Sequence, residues 1–175
     1  KIFSRTGDDI THTFPEIKSL EKEMVILDGE LLVGRDYIPM NFNTLQQRLN
    51  RKRVSQKHID DFPAFVKLYD ILYLNNEDLR EKNWDERRTI LESWYCKNKN
   101  RFFDLSKIIN FNSWKNLAEI RKNEIIDDQH EGLMIKSKYS PYISGRPKGH
   151  WYKWKKDPKT VDAILMYALR GHGKR

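Results

Sequence analysis

Trp151-Tyr-Lys-Trp-Lys-Lys-Asp157 sets two lysines two residues apart and surrounds them with aromatic rings. In an extended strand successive side chains point to opposite faces. Lys153 and Lys155 then share one face, and Tyr152 and Trp154 share the other. The two rings are expected to anchor the strand in a core and hold both ammonium groups at fixed positions. Two cations held side by side repel each other, so the pattern asks for an anion between them.

The preceding stretch, Glu131-Gly-Leu-Met-Ile-Lys136, reads as a second strand. Glu131 follows a turn-like Asp127-Asp-Gln-His130 and is expected at the mouth of that strand. Further upstream the chain mixes strands and helices without regular alternation, which predicts an α+β fold and not a doubly wound parallel sheet. Ile2-Phe3 reads as a strand before a Thr6–Asp9 turn, and Phe14-Pro15 leads into a short helix at 17–22. A strand over 24–33 is interrupted by Gly29, which marks a bulge or a close ligand approach. Helices are expected at 42–51 and at 55–61, the second capped by Ser55. An apolar strand over 64–73 ends at Asn75-Asn76. Helices follow at 85–95, with acids in its first turn, and at 113–126. Trp84, Trp94 and Trp114 read as packing residues. Residues 163–169 read as a buried strand.

The chain has 175 residues and a net charge of +8. Residues 1–131 are nearly balanced, whereas residues 132–175 hold 11 Lys and Arg against Asp157 and Asp162. A basic block interleaved with rings and glycines favours a polyanionic partner. No apolar run approaches the roughly 20 residues of a membrane helix, so no membrane partner is expected. Cys96 is the only cysteine; an internal disulfide is impossible, and a reducing cytoplasm is expected. The five histidines are scattered and form no zinc pattern. Gly171-His-Gly-Lys174 lacks the spacing and the Ser/Thr of a P-loop, and no Gly-x-Ser-x-Gly elbow occurs.

Five stretches remain, in this order: Ser4-Arg-Thr-Gly7, Leu27-Asp-Gly-Glu30, Leu68-Tyr-Asp-Ile71, Glu131-Gly-Leu-Met-Ile-Lys136 and Trp151-Tyr-Lys-Trp-Lys155. Together they resemble the ATP-dependent DNA ligases of the covalent nucleotidyltransferase superfamily. The closing Arg170-Gly-His-Gly-Lys-Arg175 strengthens the likeness, and the wording around Ser140-Pro-Tyr142 and Gly145-Arg-Pro-Lys-Gly149 is similar to a bacterial subgroup.

The resemblance implies a nucleotidyltransferase (adenylation) domain over 1–157, with antiparallel sheets flanked by helices. Residues 158–175 would be a linker and the first strand of a truncated OB-fold domain. It implies ATP, carried as AMP, with Mg2+, and nicked double-stranded DNA as partner. The catalytic set would be Lys153, Lys155 and Glu131, with the α-phosphate as the anion between the lysines. Arg5, Asp28, Glu30, Tyr69 and Lys136 would bind the nucleotide, Tyr69 by stacking on adenine and Lys136 at a phosphate. Glu131 and Glu30 would hold the metal. Arg146, Lys148, Arg170, Lys174 and Arg175 would meet DNA. A monomer in the cytoplasm, associated with the bacterial nucleoid, is expected. The family's nucleophile lies in a Lys-x-Asp-Gly motif, and no lysine here precedes x-Asp-Gly. Both ends read as cut, so the chain alone is expected not to seal DNA. The alternatives are a stand-alone nucleic-acid-binding module or pseudo-enzyme on the same scaffold, or an RNA ligase.

Overall fold

The computed structural model describes residues 1–17, 23–49, 51, 53–124, 131–145, 148–155, 162–164, 166, 167 and 169. Its centre is an 11-residue strand rich in aromatic and branched side chains, β3 (Ala64–Leu74). It pairs antiparallel with β1 (Val25–Arg35) and parallel with β5 (Phe103–Leu105). Short hairpins extend both long strands: β2 (Ile38–Pro39) returns on β1, and β4 (Glu77–Asp78) returns on β3. Both turns place two residues at positive φ, Asp36-Tyr37 and Asn75-Asn76, as two-residue hairpins require. Asn tolerates that conformation readily, whereas Tyr37 needs tertiary support. Its hydroxyl donates to the Asn100 carbonyl at 2.8 Å and its ring meets Phe65 edge-on.

The glycine at 29 sits where its neighbour strand comes closest. A Cβ there would lie 2.6 Å from Val66 Cγ1 and 3.0 Å from the Lys67 carbonyl oxygen. The register also slips beside it. Asp28 pairs with Asp70 and Gly29 with Leu68, which leaves Tyr69 as the extra residue. Bulges of this kind re-aim a side chain, and the one re-aimed here is Tyr69. The bulge expected from the sequence is therefore present, and the atoms crowding Gly29 are the Val66 side chain and the backbone of Lys67 and Leu68 in β3.

Apolar residues of β1 and β3 pack with Phe14, Ile17, Leu79 and Phe103, and with Leu91 and Trp94 of helix α3. The helices are α1 (Phe42–Leu49), α2 (Gln56–Asp61), α3 (Trp84–Asn98) and α4 (Trp114–Glu124). Ser55 caps α2 as expected. Glu86 accepts from the backbone N–H of Asn83 at the start of α3, where Asp85 and Glu86 also suit the helix dipole. Arg48 of α1 is fully buried, meeting Glu16 and the carbonyls of Thr13 and Phe62.

A separate two-stranded sheet carries the end of the fold, β6 (Gly132–Lys136) antiparallel to β7 (Trp151–Lys155). Buried polar groups tie it to the main sheet. Asp70 of β3 and Arg87 of α3 form a two-pronged ion pair at 2.8 and 3.0 Å, with both side chains fully buried. Arg87 also donates to the Ser140 carbonyl, and the Tyr142 N–H donates to the Arg80 carbonyl. Breaking one member of such a buried pair costs about 3–5 kcal/mol, so it fixes β3 on α3, and the bonds from Arg87 and Tyr142 dock the hairpin loop on that joint.

The mixed α+β architecture agrees with the sequence reading, although the parallel β5 and the hairpin strands β2 and β4 carried no period-2 signal long enough to find. Two expectations are corrected. Trp114 is exposed and not a core residue; its ring meets Phe111 at a tilt, 5.7 Å between centroids. Asp162–Ile164, Met166, Tyr167 and Leu169 lie in no strand and are exposed. An apolar run becomes a strand only where a neighbour supplies backbone partners and an apolar face, and no described residue does so there. The remainder of the expected OB-fold strand, most of the helix expected at 17–22 and the end of the one expected at 113–126 fall outside the described residues.

Candidate functional site

The hairpin of β6 and β7 has two distinct faces. Its register sets Gly132 opposite Lys155, Met134 opposite Lys153 and Lys136 opposite Trp151. Alternation therefore puts Gly132, Met134, Lys136, Trp151, Lys153 and Lys155 together on one face. Gly132 is required at its mouth: its φ is +145°, and a Cβ would lie 2.2 Å from the Trp154 carbonyl oxygen. The other face holds Tyr152 and Trp154, but only Trp154 packs, half-buried under the Arg121 guanidinium. Tyr152 is exposed, so the expected ring pair is one anchor only. The stronger anchor is Trp151, on the lysine face itself, against Tyr142 and Lys136.

Lys153 and Lys155 thus share a face, as the alternation predicts, and both are exposed. Lys153 bonds the Glu131 carboxylate at 2.5 Å. That bond, then the charges of Lys153 and Lys155, hold the Glu131 carboxyl below the usual carboxylate range. Glu30, from β1 of the other sheet, faces the same group. Loss of solvent raises its carboxyl first; Lys153 opposes this, Glu131 and Asp28 add to it, and Arg5 opposes it. One small region therefore brings together Arg5, Asp28, Glu30, Glu131 and Lys153, with Lys155 beside Glu131. They come from four separate stretches of sequence.

Tyr69 lies beside them, half-buried. Its hydroxyl donates to Asp28 Oδ1 at 2.7 Å, and Tyr142 donates to Asp28 Oδ2 at 2.8 Å. Burial and the Asp28 carboxylate push both phenols well above their ordinary range. Asp28 thus supports the site by locking two rings. Lys136 departs from its expected phosphate contact. Its ammonium is buried among the rings of Trp151, Tyr69 and Trp84, at 4.0, 4.6 and 5.9 Å from their centroids. Lys148 is exposed; Arg146, Arg170, Lys174 and Arg175 lie outside the described residues.

Sequence reading missed Tyr142, Trp84, Met134 and the Asp70–Arg87 pair as contributors. Arg87 carried no signal, because helical arginines are common and its buried partner is 17 residues away. Tyr142 stood within the quoted Ser140-Pro-Tyr142, but its partner is 114 residues distant.

The arrangement suits a phosphate-bearing ligand with a flat ring. Exposed ammonium groups can neutralise phosphate oxygens, while Tyr69 and the exposed Met134 offer apolar surface. Among the described residues no group of three or more acidic, His or Cys side chains could enclose a metal. Glu30 and Glu131 nevertheless fit Mg2+ that arrives with phosphates, since that ion takes one or two carboxylates and keeps water and phosphate as its other ligands. The rise that Glu131 and Asp28 add at Glu30 is what a cation would relieve.

A mixed α+β domain whose two sheets bring ammonium groups and carboxylates together is the class that this fold and site define. The family model described as ATP dependent DNA ligase domain matches residues 1–155. The chain belongs to that family. It is 36% identical over 180 residues to a DNA ligase of Archaeoglobus fulgidus, covering 99% of this chain and 31% of the relative. It is 34% identical over 192 residues to a DNA ligase of Thermoplasma volcanium, covering 100% and 32%. A crystal structure of the ligase domain of LigD from M. tuberculosis superposes with a TM-score of 0.64 at 26% identity, over 87% of this chain and 46% of that one. The chain thus spans about a third of the length of the curated relatives it matches.

Proposed function

We propose that this chain is the part of an ATP-dependent DNA ligase that grips the nucleotide α-phosphate during nick sealing. The observation that carries the reading is the convergence of Lys153 and Glu131 from one sheet on Glu30 from the other. In the reaction a lysine amine attacks the α-phosphorus, the bond to the β-phosphate breaks and pyrophosphate leaves. AMP then passes to a 5′-phosphate, and a 3′-hydroxyl displaces it to close the strand. The attacking lysine comes from a segment outside these 175 residues, since no Lys-x-Asp-Gly occurs in them.

Each step builds negative charge at phosphorus, so catalysis rests on positioning and neutralisation. Lys153 and Lys155 receive the α-phosphate oxygens as compact charges on a braced strand. The Lys153–Glu131 ion pair stores the ammonium in place until a phosphate competes for it. Glu131 and Glu30 would hold Mg2+, which would supply charge to neutralise the phosphate oxygens. Tyr69, fixed through its hydroxyl by Asp28, supplies the stacking surface for adenine, with Met134 beside it. Arg5 reaches the sugar or the nick. The DNA contacts are assigned to Lys148 and to the basic residues Arg146, Arg170, Lys174 and Arg175, on nicked duplex DNA in the cytoplasm at the nucleoid, with the enzyme acting as a monomer.

The test is ATP labelled at the α-phosphate, given to the longer protein that contains this chain. Wild type should form a covalent AMP adduct and seal nicked DNA in preference to nicked RNA. Lys153→Ala and Glu131→Ala should lose the adduct while remaining folded. Undiminished labelling in both variants would refute the site assignment, and preference for RNA would refute the substrate.

A further inference from the structure

Lys136 stands at the seam between the two sheets. Its ammonium is enclosed by rings from three elements, Trp151 of β7, Tyr69 of β3 and Trp84 of α3. No acceptor among the described residues hydrogen-bonds it. The nearby carboxylates are engaged elsewhere: Asp28 of β1 by the two phenols, and Asp70 of β3 by Arg87. The ammonium also feels Arg87 and Arg88 of α3, which oppose those two acids. The titratable groups around it are therefore Asp28, Tyr69, Asp70, Arg87, Arg88 and Tyr142.

We propose that Lys136 is a positioning residue that takes up a proton as an anionic nucleotide binds on the face carrying Tyr69, Lys153 and Lys155. The inference rests on the nucleotide reading above. Ring quadrupoles attract an ammonium and not a neutral amine, so only the protonated form holds the Tyr69 ring from the Lys136 side. The cage cannot fully replace water, and burial brings the Lys136 pKa down to about 8. A sizeable neutral fraction then exists in mildly alkaline solution. Lys136 lies on the same hairpin face as Lys153, one cross-strand pair away. Phosphate charge arriving there favours the ammonium through a medium that screens poorly. Whatever favours the charged lysine on binding must, by linkage, make binding tighter when the lysine is charged.

The test uses α,β-methylene-ATP with magnesium and titration calorimetry in two buffers of different ionisation enthalpy. At about pH 8.2 the nucleotide phosphates are already ionised, and wild type should take up roughly half a proton on binding. Its affinity should fall roughly five- to tenfold between about pH 7 and pH 9. Lys136→Arg, which keeps its charge throughout, should bind with no uptake and a flat profile. Lys136→Met should also show no uptake and should bind about as weakly at neutral pH as wild type does at the alkaline end. The Arg variant decides alone if the Met variant does not fold. Binding by wild type without proton uptake, or the same uptake in Lys136→Arg, would overturn the proposal. No binding by wild type at any of these pH values would sink the nucleotide reading itself, and this coupling with it.

Discussion

Tyr142 donates its hydroxyl to Asp28 across a separation of 114 residues, and the 2.8 Å bond joins the hairpin loop to the main sheet. Tyr69 holds the other oxygen of the same carboxylate. One acidic side chain therefore sets two rings on two elements, and the ring proposed to stack on adenine is one of them.

Tyr142→Phe should remove a bond to a carboxylate and cost about 1–2 kcal/mol. Urea denaturation measures this directly. The same variant should weaken nucleotide binding, because Asp28 becomes freer to move with Tyr69. Unchanged stability would mean that the loop is held by its backbone ties to Arg80 and Arg87 and not by this hydroxyl.

Asp70→Leu and Arg87→Met should each cost about 3–5 kcal/mol, since each leaves its fully buried partner without a counter-charge. Asp70→Leu combined with Arg87→Met should cost clearly less than the sum of the single changes. Additive losses in a double-mutant cycle would show that the pair acts independently.

Glu30→Gln should stabilise the fold at neutral pH while abolishing nucleotide chemistry. The Glu30 carboxyl lies above its ordinary 4.5 in the folded chain, so the folded form holds the proton more tightly than the unfolded one. Stability must then decline as pH climbs from 4.5 through the raised value, and it stays lower beyond. Glutamine removes that penalty. The side chain is substantially exposed, so the rise in Tm at pH 7 should be small, roughly 1–2 °C. A lower Tm would show that the carboxylate is net stabilising.

Gly132→Ala should disrupt the hairpin where Glu131 and Lys155 meet. The added methyl would need the space of the Trp154 carbonyl, in a backbone conformation that favours glycine. A loss of about 2 kcal/mol or more is expected, with faster amide exchange confined to β6 and β7. Exchange rates unchanged in both strands would count against the close approach.

Lys153→Ala should behave in the opposite way. Its ion pair with Glu131 is solvent-exposed, so stability should change by less than about 0.5 kcal/mol, whereas adenylation should vanish. Large destabilisation would make the pair structural and weaken its catalytic assignment.

Alternation alone placed Lys153 and Lys155 on one face, because a strand's period of two is local geometry that needs no partner. The bulge at Gly29, the cap at Ser55 and the turn at Asn75-Asn76 were legible for the same reason. What packs beneath the strand was not. Tyr152 and Trp154 look equivalent in sequence, yet only Trp154 finds a covering group, and Trp151 on the opposite face proves the better anchor.

The sequence by itself determined the long strands and helices of the main body, the order of the five stretches and the family they define. Only the tertiary structure decided that Lys136 turns into a cage of rings. It also decided that Asp28 fastens two tyrosines, and that Asp70 and Arg87 weld β3 to α3. Those outcomes depend on burial, which is a property of partners far apart in the chain. A side chain's charge and reach are written locally, but the price of removing it from water is set by whatever closes over it.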